Sequence, residues 1–204
     1  VEATRYLSED EFRYLPDKDL YYTGKGEDLK TLDTMLNSIE SKNKIDLARH
    51  AEEEVYGKDN KIISVTSYYS DNVTNMILVD SNGFRGEAGS SFTGIAAEVS
   101  VKDDKGRPSD YWGEYSIFYD RLKKTGIGKT AFERAIRKSN PKKVRSGKYK
   151  IIVENLVSVN LLNPFISALL GSSIYQKNSF LAGKVNTRVA RDIFSFYDDP
   201  LMIS

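Results

Sequence analysis

The segment VTNMILVDSNGF (73–84) places a turn signal directly after an apolar run, and it decides the predicted fold. The apolar residues at 73, 77 and 79 share one face of an extended strand, because side chains alternate along strands. Asn82-Gly83 is a strong hairpin signal, since both residues tolerate positive φ. FTGIAAEVSV (92–101) also keeps its apolar residues on one face, so we expect the two segments to pair. The residues of that face are Ile95, Ala97, Val99 and Val101.

Two flanking segments extend this pairing. IISVTSYY (62–69) partly alternates apolar and polar residues on the N-terminal side. YWGEYSIFY (111–119) follows a turn signal at Asp103–Pro108, where aspartate, glycine and proline cluster. The middle of the chain is therefore predicted to be an antiparallel sheet of four strands.

Helical patterns lie on both sides of the predicted sheet. Residues 43–56 carry apolar side chains at steps of three and four, and Gly57 is expected to end that helix. A second helix is expected over 127–139, with Asn140-Pro141 as its stop and a capping box near its start. A short helix is expected near Glu9–Tyr14. The apolar face of the first helix is Ile45, Ala48, Ala51 and Val55, and the capping box is Thr130 with Glu133.

The predicted fold class is α+β, an antiparallel or mixed sheet with flanking helices. The basic segment Pro141–Gly147 is the predicted boundary between structural units. Residues 1–145 would form a central domain with an N-terminal arm, and residues 146–204 would begin a second α+β domain. In that domain KYKIIV (148–153) predicts a strand, followed by a helical segment with a proline inside.

Composition narrows the function classes. The net charge is +1, which gives no electrostatic reason to expect nucleic acid or an anionic membrane as a direct partner. The chain has no cysteine, so disulfides and thiolate metal sites are excluded, and a reducing cytoplasm is the expected location. No apolar run approaches the roughly 20 residues that span a bilayer, and the N-terminus lacks the pattern of a signal peptide.

Two motifs suggest catalysis and fail on inspection. TGIGKT (125–130) resembles a phosphate loop, but Lys123 stands where the first glycine of that pattern belongs, and a helix start is the better interpretation. His50 is the only histidine, and Ala51 follows it where a zinc-protease motif needs glutamate. We expect His50 to be solvated.

Charged residues offer no catalytic set either. Asp103-Asp104 and Asp198-Asp199 are adjacent pairs, and nothing in the sequence suggests a raised pKa for any of them. A basic run is the best nucleic-acid feature, but it has one interleaved aromatic, Tyr149, and a solvated helix end with a linker is the favoured interpretation. The run comprises Arg134, Arg137, Lys138, Lys142, Lys143, Arg145, Lys148 and Lys150.

Several segments, in order along the chain, resemble the TldD/PmbA family and within it the PmbA (TldE) branch. The tail at 171–183 (GSSIYQKNSFLAG) is the most specific of them. The resemblance covers nearly the whole chain, and it implies a partial, central segment of proteins about twice as long. The other segments are 80–86 (DSNGFRG), 110–112 (DYW), the helix start at 126–135 and 142–149 (KKVRSGKY).

The resemblance also implies that the helix at 161–170 lacks a metal-binding motif that related chains carry. In the TldD branch this helix carries His-Glu-x-x-x-His, which supplies two zinc ligands and a general base. The corresponding positions here are Asn163, Pro164 and Ala168, which have neither ligand nor base. Pro164 is expected early in the helix, where a missing N–H costs little. The resemblance therefore implies no catalytic residue and no metal on this chain.

A function follows from the same resemblance. The chain would be the PmbA/TldE-like subunit of a cytoplasmic zinc metalloprotease that degrades or matures unfolded peptides, with zinc on a TldD-type partner. Self-association as a dimer is the other pairing it allows. One alternative is a regulatory binding protein of the "modulator of DNA gyrase" type. Another is an enzyme with catalytic residues outside these 204 residues.

Overall fold

The sheet that the sequence predicts is present, with three strands rather than four. A computed structural model describes residues 5–8, 14–23, 26 and 28–203. Strands β1 (Ile62–Val79), β2 (Arg85–Val101) and β3 (Ser109–Ser116) pair in the order β1-β2-β3, and both pairings are antiparallel. With helices packed on this sheet, the α+β prediction is confirmed. The short helix expected near Glu9–Tyr14 lies mostly outside the described residues.

Strand β1 merges two of the predicted strands. It pairs with β2 continuously from Ser64↔Ser100 to Val79↔Arg85, with one irregularity between Ile62 and Ser64. The polar residues at 70–72 do not interrupt it, because backbone pairing needs extended geometry rather than apolar side chains. Half-buried and exposed residues continue to alternate through 70–72, so the polar residues there mark no turn.

The turn between β1 and β2 confirms the Asn-Gly signal. The amide of Asp80 donates to the carbonyl of Phe84 (3.1 Å), and Gly83 has φ +97°. The Asp80 carboxylate also accepts from the backbone amides of Asn82 and Phe84, both at 2.9 Å. A tight turn closed by an aspartate and a left-handed glycine therefore sets the register of the hairpin.

One face of the sheet is covered by helices α1 (Ser41–Glu53) and α2 (Ile127–Arg137). The α1 prediction was partly wrong: Ile45 is 56% exposed, and Leu47 packs against the core instead. The covered face of β2 is the predicted one. The buried core residues are Ala51, Val55, Ile95, Ala97, Val99, Val101, Leu122, Ile127, Ala131 and Ala135.

The start of α2 differs from the predicted capping box. Gly126, with φ +81°, is the N-cap, and Thr130 lies inside the helix. The cap is the carboxylate of Glu54, which follows α1 and accepts from the amides of Gly126 (2.5 Å) and Lys129 (3.2 Å). A carboxylate from another element satisfies free amides at a helix start as well as a local side chain does. The Thr130–Glu133 prediction was therefore wrong.

The described residues divide into two units: residues 1–142 with 201–204, and Lys143–Pro200. The second unit contains α3 (Asn155–Leu169) and α4 (Gly171–Tyr175). The predicted strand at 148–153 is absent from the described part of the chain, where Ile151 and Ile152 are 80% and 98% exposed. A strand needs a neighbour for its amides and carbonyls, and no described segment pairs with this one. Within the described residues no helix has the length and apolarity that a membrane-spanning segment requires.

Candidate functional site

Helix α3 holds the three positions to which the resemblance assigns a degenerate metal motif. Asn163 and Pro164 are exposed, whereas Ala168 is buried at 7% exposure. The Ala168 carbonyl accepts a hydrogen bond from Ser179 Oγ at 2.6 Å, so the specific tail segment is tied directly to this helix. The amide of Asn163, the pyrrolidine ring of Pro164 and the methyl group of Ala168 do not form a zinc ligand set.

Pro164 lies in the interior of α3, because the helix begins at Asn155. The expectation that it sits near the helix start was therefore wrong. A proline there removes the N–H that would donate to the carbonyl of Asn160, and its ring crowds that carbonyl. Proline at this position supplies no base and removes one backbone hydrogen bond from the helix.

An aromatic cluster lies beside these positions in the same unit. The Phe165 ring meets Phe194 and Phe196 edge-on, with centroids 5.6 and 6.2 Å apart. A cavity of about 320 Å³ adjoins these rings, and Arg188 and Asp192 on its wall form an ion pair at 2.8 Å. Arg191 also lines this pocket, so its wall combines three phenylalanine rings with two arginines and one aspartate.

The outer edge of β1 is the second candidate site. Among the described residues β1 pairs only with β2, so its other edge carries backbone groups without a partner strand over much of its 18 residues. Met76, Ile77, Leu78 and Val79 near its end are 56–61% exposed. A long, exposed, apolar edge strand is a site where another chain can pair.

The hairpin tip is held in place by Tyr21. Its ring packs on Phe84 with centroids 5.0 Å apart, and its hydroxyl donates to Asp80 Oδ2 at 2.7 Å. Burial works to raise the pKa of Asp80, but the hydrogen bonds from Tyr21 and from the turn amides outweigh it and lower that pKa. Asp80 is therefore a structural carboxylate that stays ionised, not a general acid.

The rejected motifs have structural roles. Two amides of TGIGKT (125–130), those of Gly126 and Lys129, are bound by the carboxylate of Glu54. His50 is 53% exposed, and its Nε2 lies 3.8 Å from Glu54 Oε1. Backbone hydrogen bonds, above all from Asn140 and then from Lys105, lower the pKa of Asp103. No group of three or more potential metal ligands is present within the described residues.

The basic run is only partly solvated. Arg134 Nε lies 3.4 Å from Asp110 Oδ2, and its guanidinium lies 5.5 Å from the centre of the Trp112 ring. Lys138 Nζ is 3.2 Å from the same Asp110 oxygen. The remaining members from Lys142 onward are exposed. The sequence does not predict this ion pair, because Asp110 and Arg134 lie on different elements. The segment 110–112 (DYW) entered the prediction only through its resemblance to the family.

Comparison with known proteins agrees with this architecture. Residues 35–139 match the family described as "PmbA/TldA metallopeptidase central domain", and residues 146–204 match "PmbA/TldA metallopeptidase C-terminal domain". The class of protein is thus the metallopeptidase-type fold built from these two domains. The chain belongs to the PmbA/TldD family.

Individual relatives cover the chain well, but the chain covers less than half of them. A metalloprotease PmbA homologue of Haemophilus influenzae is 25% identical over 100% of this chain and 45% of its own length. One from Buchnera aphidicola is 26% identical over 90% of this chain and 41% of its own length.

Solved structures show the same relation. A protein of Bacteroides thetaiotaomicron, described as a modulator of DNA gyrase, matches with 43% identity and a TM-score of 0.94 over 99% of this chain and 46% of its own. A Thermotoga maritima protein with a similar description matches with 26% identity and a TM-score of 0.71, over 80% of this chain and 39% of its own.

Proposed function

We propose that this chain is part of the PmbA/TldE-like subunit of a TldD/TldE-type zinc metalloprotease, the subunit that does not hold the metal. The proposal rests on the residue types at three positions of α3 in a chain that belongs to this family. Asn163, Pro164 and Ala168 supply no zinc ligand and no general base. Zinc and the catalytic glutamate would come from a partner chain.

The contribution of this subunit would be to hold unfolded peptide. Extended peptides commonly bind by adding a strand to an exposed sheet edge, where main-chain hydrogen bonds supply affinity with little dependence on sequence. The outer edge of β1 is long, and apolar residues flank it near the hairpin. An unfolded peptide has its backbone N–H and C=O groups free to pair with such an edge, whereas most of these groups in a folded protein are already paired.

The test uses the full-length protein, purified alone and after co-expression with a His-Glu-x-x-x-His relative from the same cell. Zinc per chain and cleavage of an unstructured peptide are measured with and without a chelator. We expect zinc and chelator-sensitive cleavage only in the co-expressed sample. Zinc binding and cleavage by the lone protein would refute the subunit assignment, because the ligands would then lie elsewhere on the same chain.

Peptide binding at β1 has its own test. Hydrogen exchange of the assembled complex is followed with and without an uncleaved unstructured peptide. We expect slower exchange at β1 amides on the open edge and no change in α2. If no sheet amide gains protection, strand addition at this edge is abandoned.

A regulatory binding protein is the second candidate function. The descriptions of the two solved relatives as modulators of DNA gyrase favour it. This function predicts that the protein copurifies with a nucleic-acid enzyme and alters its activity in the absence of any metalloprotease partner. A supercoiling assay with the full-length protein alone separates the two candidates.

A further inference from the structure

The cavity beside α3 has an apolar wall that is open to solvent. Val189, Phe194 and Phe196 in this wall are 46%, 38% and 45% exposed. Phe165 on α3 holds the other two rings edge-on. The volume of about 320 Å³ lies at the small end of the range for ligand pockets, which is roughly 300–1,000 Å³. The cavity therefore has room for one small apolar group, which would cover the exposed rings.

The segment that carries this wall is held in shape by its own residues. The Arg188 side chain donates from Nε to the carbonyl of Ala190 at 2.9 Å, and its Nη2 lies 2.8 Å from Asp192 Oδ1. The amide of Phe194 donates to the carbonyl of Arg191 at 3.0 Å. Because neighbouring residues close the segment on itself, the wall is formed without a ligand.

The formal charges around the cavity sum to +1. Arg188 and Asp192 neutralise each other, and Arg191 is the remaining charged residue of the wall. Arg191 is exposed, and its side chain makes no hydrogen bond or ion pair with any residue that the structure describes. A guanidinium stays protonated in proteins, so one positive charge lies beside an apolar surface. A matching occupant carries one negative charge and an apolar group.

We propose that this cavity binds a carboxylate attached to an apolar group, supplied either by the C-terminal residue of a polypeptide or by a free carboxylic acid. The apolar group would lie against Phe194 and Phe196, and the carboxylate would pair with Arg191. A carboxylate accepts two parallel N–H groups from a guanidinium. A phosphate monoester would bring close to two negative charges to one unpaired arginine, so a carboxylate matches the charge better.

The site uses no metal and none of the degenerate motif positions on α3, so it goes beyond the proposed protease role and does not depend on it. The test therefore uses the full-length protein alone, without a metalloprotease partner. A labelled peptide of serine and threonine residues ends in phenylalanine, and its counterpart has a C-terminal amide in place of the carboxylate. Fluorescence anisotropy measures both. We expect the free carboxylate to bind about fivefold more tightly, the size of one partly exposed charge pair.

A second pair of ligands identifies the source of the carboxylate. 3-Phenylpropionate and its amide present the same apolar group without a peptide chain, and calorimetry measures the binding of each. A preference for the acid in both pairs, with the peptide acid binding more tightly, assigns a polypeptide C-terminus. A preference in the small-molecule pair alone assigns a free carboxylic acid. No preference for the acid in either pair would overturn the proposal.

Variants place the binding at this cavity. Arg191→Gln should abolish the preference for the acid and leave the binding of the amides unchanged, whereas Arg191→Lys should keep part of it, because the charge remains but the planar donor pair is lost. Phe196→Ala should weaken acid and amide alike, since it removes part of the wall and no charge.

Arg145→Gln is the matched control, because Arg145 is an exposed arginine of the same unit that does not line the cavity. It should leave the preference for the acid unchanged. An equal loss of preference in the Arg145 and Arg191 variants would overturn the proposal, because it would show only a general charge effect.

Discussion

Helices α2 and α3 have similar lengths and opposite surroundings. α2 has one apolar stripe, and its Ile127, Ala131 and Ala135 are fully buried against the sheet. α3 is apolar on nearly all sides, yet Leu156, Val159 and Leu161 are 48–65% exposed. An amphipathic helix needs one covering surface, whereas a helix that is apolar all round needs several. The comparison teaches that apolar character alone does not bury a residue; a surface opposite it does.

A matched pair of truncations tests this comparison most strongly. Ile127→Ala removes a fully buried side chain and should destabilise the protein by about 2–5 kcal/mol. Leu161→Ala removes a side chain that is 65% exposed and should change stability by less than about 0.5 kcal/mol. Urea denaturation followed by far-UV circular dichroism measures both. A large loss in the Leu161 variant would show that α3 is covered in solution.

The contact between α1 and α2 should be the next most sensitive place. A Cβ at Gly128 would lie 2.1 Å from the carbonyl oxygen of Ala51, so the two helix backbones meet only because this residue is glycine. Gly128→Val should cost about 1–3 kcal/mol through overpacking. Gly106→Val is the control, because no atom lies within 4 Å of a Cβ there. Trp112 fluorescence during urea denaturation reports on this unit.

A smaller effect is expected at the start of α2. Glu54→Gln keeps the shape of the capping side chain but removes its charge from the amides of Gly126 and Lys129, at a cost of about 1 kcal/mol. Glu53→Gln, on the exposed side of α1, should be neutral. Thermal unfolding of both variants at neutral pH measures the difference. Equal melting temperatures for the two would contradict the capping role.

The smallest effect concerns the turn before β3. Hydrogen bonds from the amides of Asn140, Lys105 and Gly106 lower the pKa of Asp103, so the carboxylate stabilises the fold above its unfolded-state pKa. That stabilisation is lost as the pH falls through the folded-state value. Asp103→Asn should therefore lower the melting temperature slightly at neutral pH, and the difference should shrink in acid. Asp104→Asn is the control.

How far the sequence predicted the fold depended on whether the signal was local. The hairpin at Asn82-Gly83 and the turn at Asp103–Pro108 are each closed by hydrogen bonds between residues a few positions apart along the chain. The strand expected at 148–153 failed because strand pairing needs a second segment. The capping box failed because the helix begins three residues before Thr130, where Glu54, far away in sequence, binds the amides of Gly126 and Lys129.

The candidate sites also divide into features that residue identity predicts and features that only the fold brings together. The absence of ligands at Asn163, Pro164 and Ala168 could be stated from residue identity, once the resemblance had located the helix. The aromatic cluster on the sheet face opposite the helices could not be stated in this way, because its residues come from three strands and become neighbours only through sheet register. These residues are Tyr68, Phe92, Tyr111 and Tyr115. No spacing pattern within one segment signals such a set.

The sequence by itself determined the α+β class, the turns, the amphipathic face of β2 and the family resemblance, because each of these depends on residue type and local spacing. The tertiary structure alone decided that β1 is continuous, that Ile45 is exposed, that Glu54 caps α2 and that Arg134 meets Asp110. These features depend on which segments meet across long separations, and that outcome is set by packing and register rather than by any one segment.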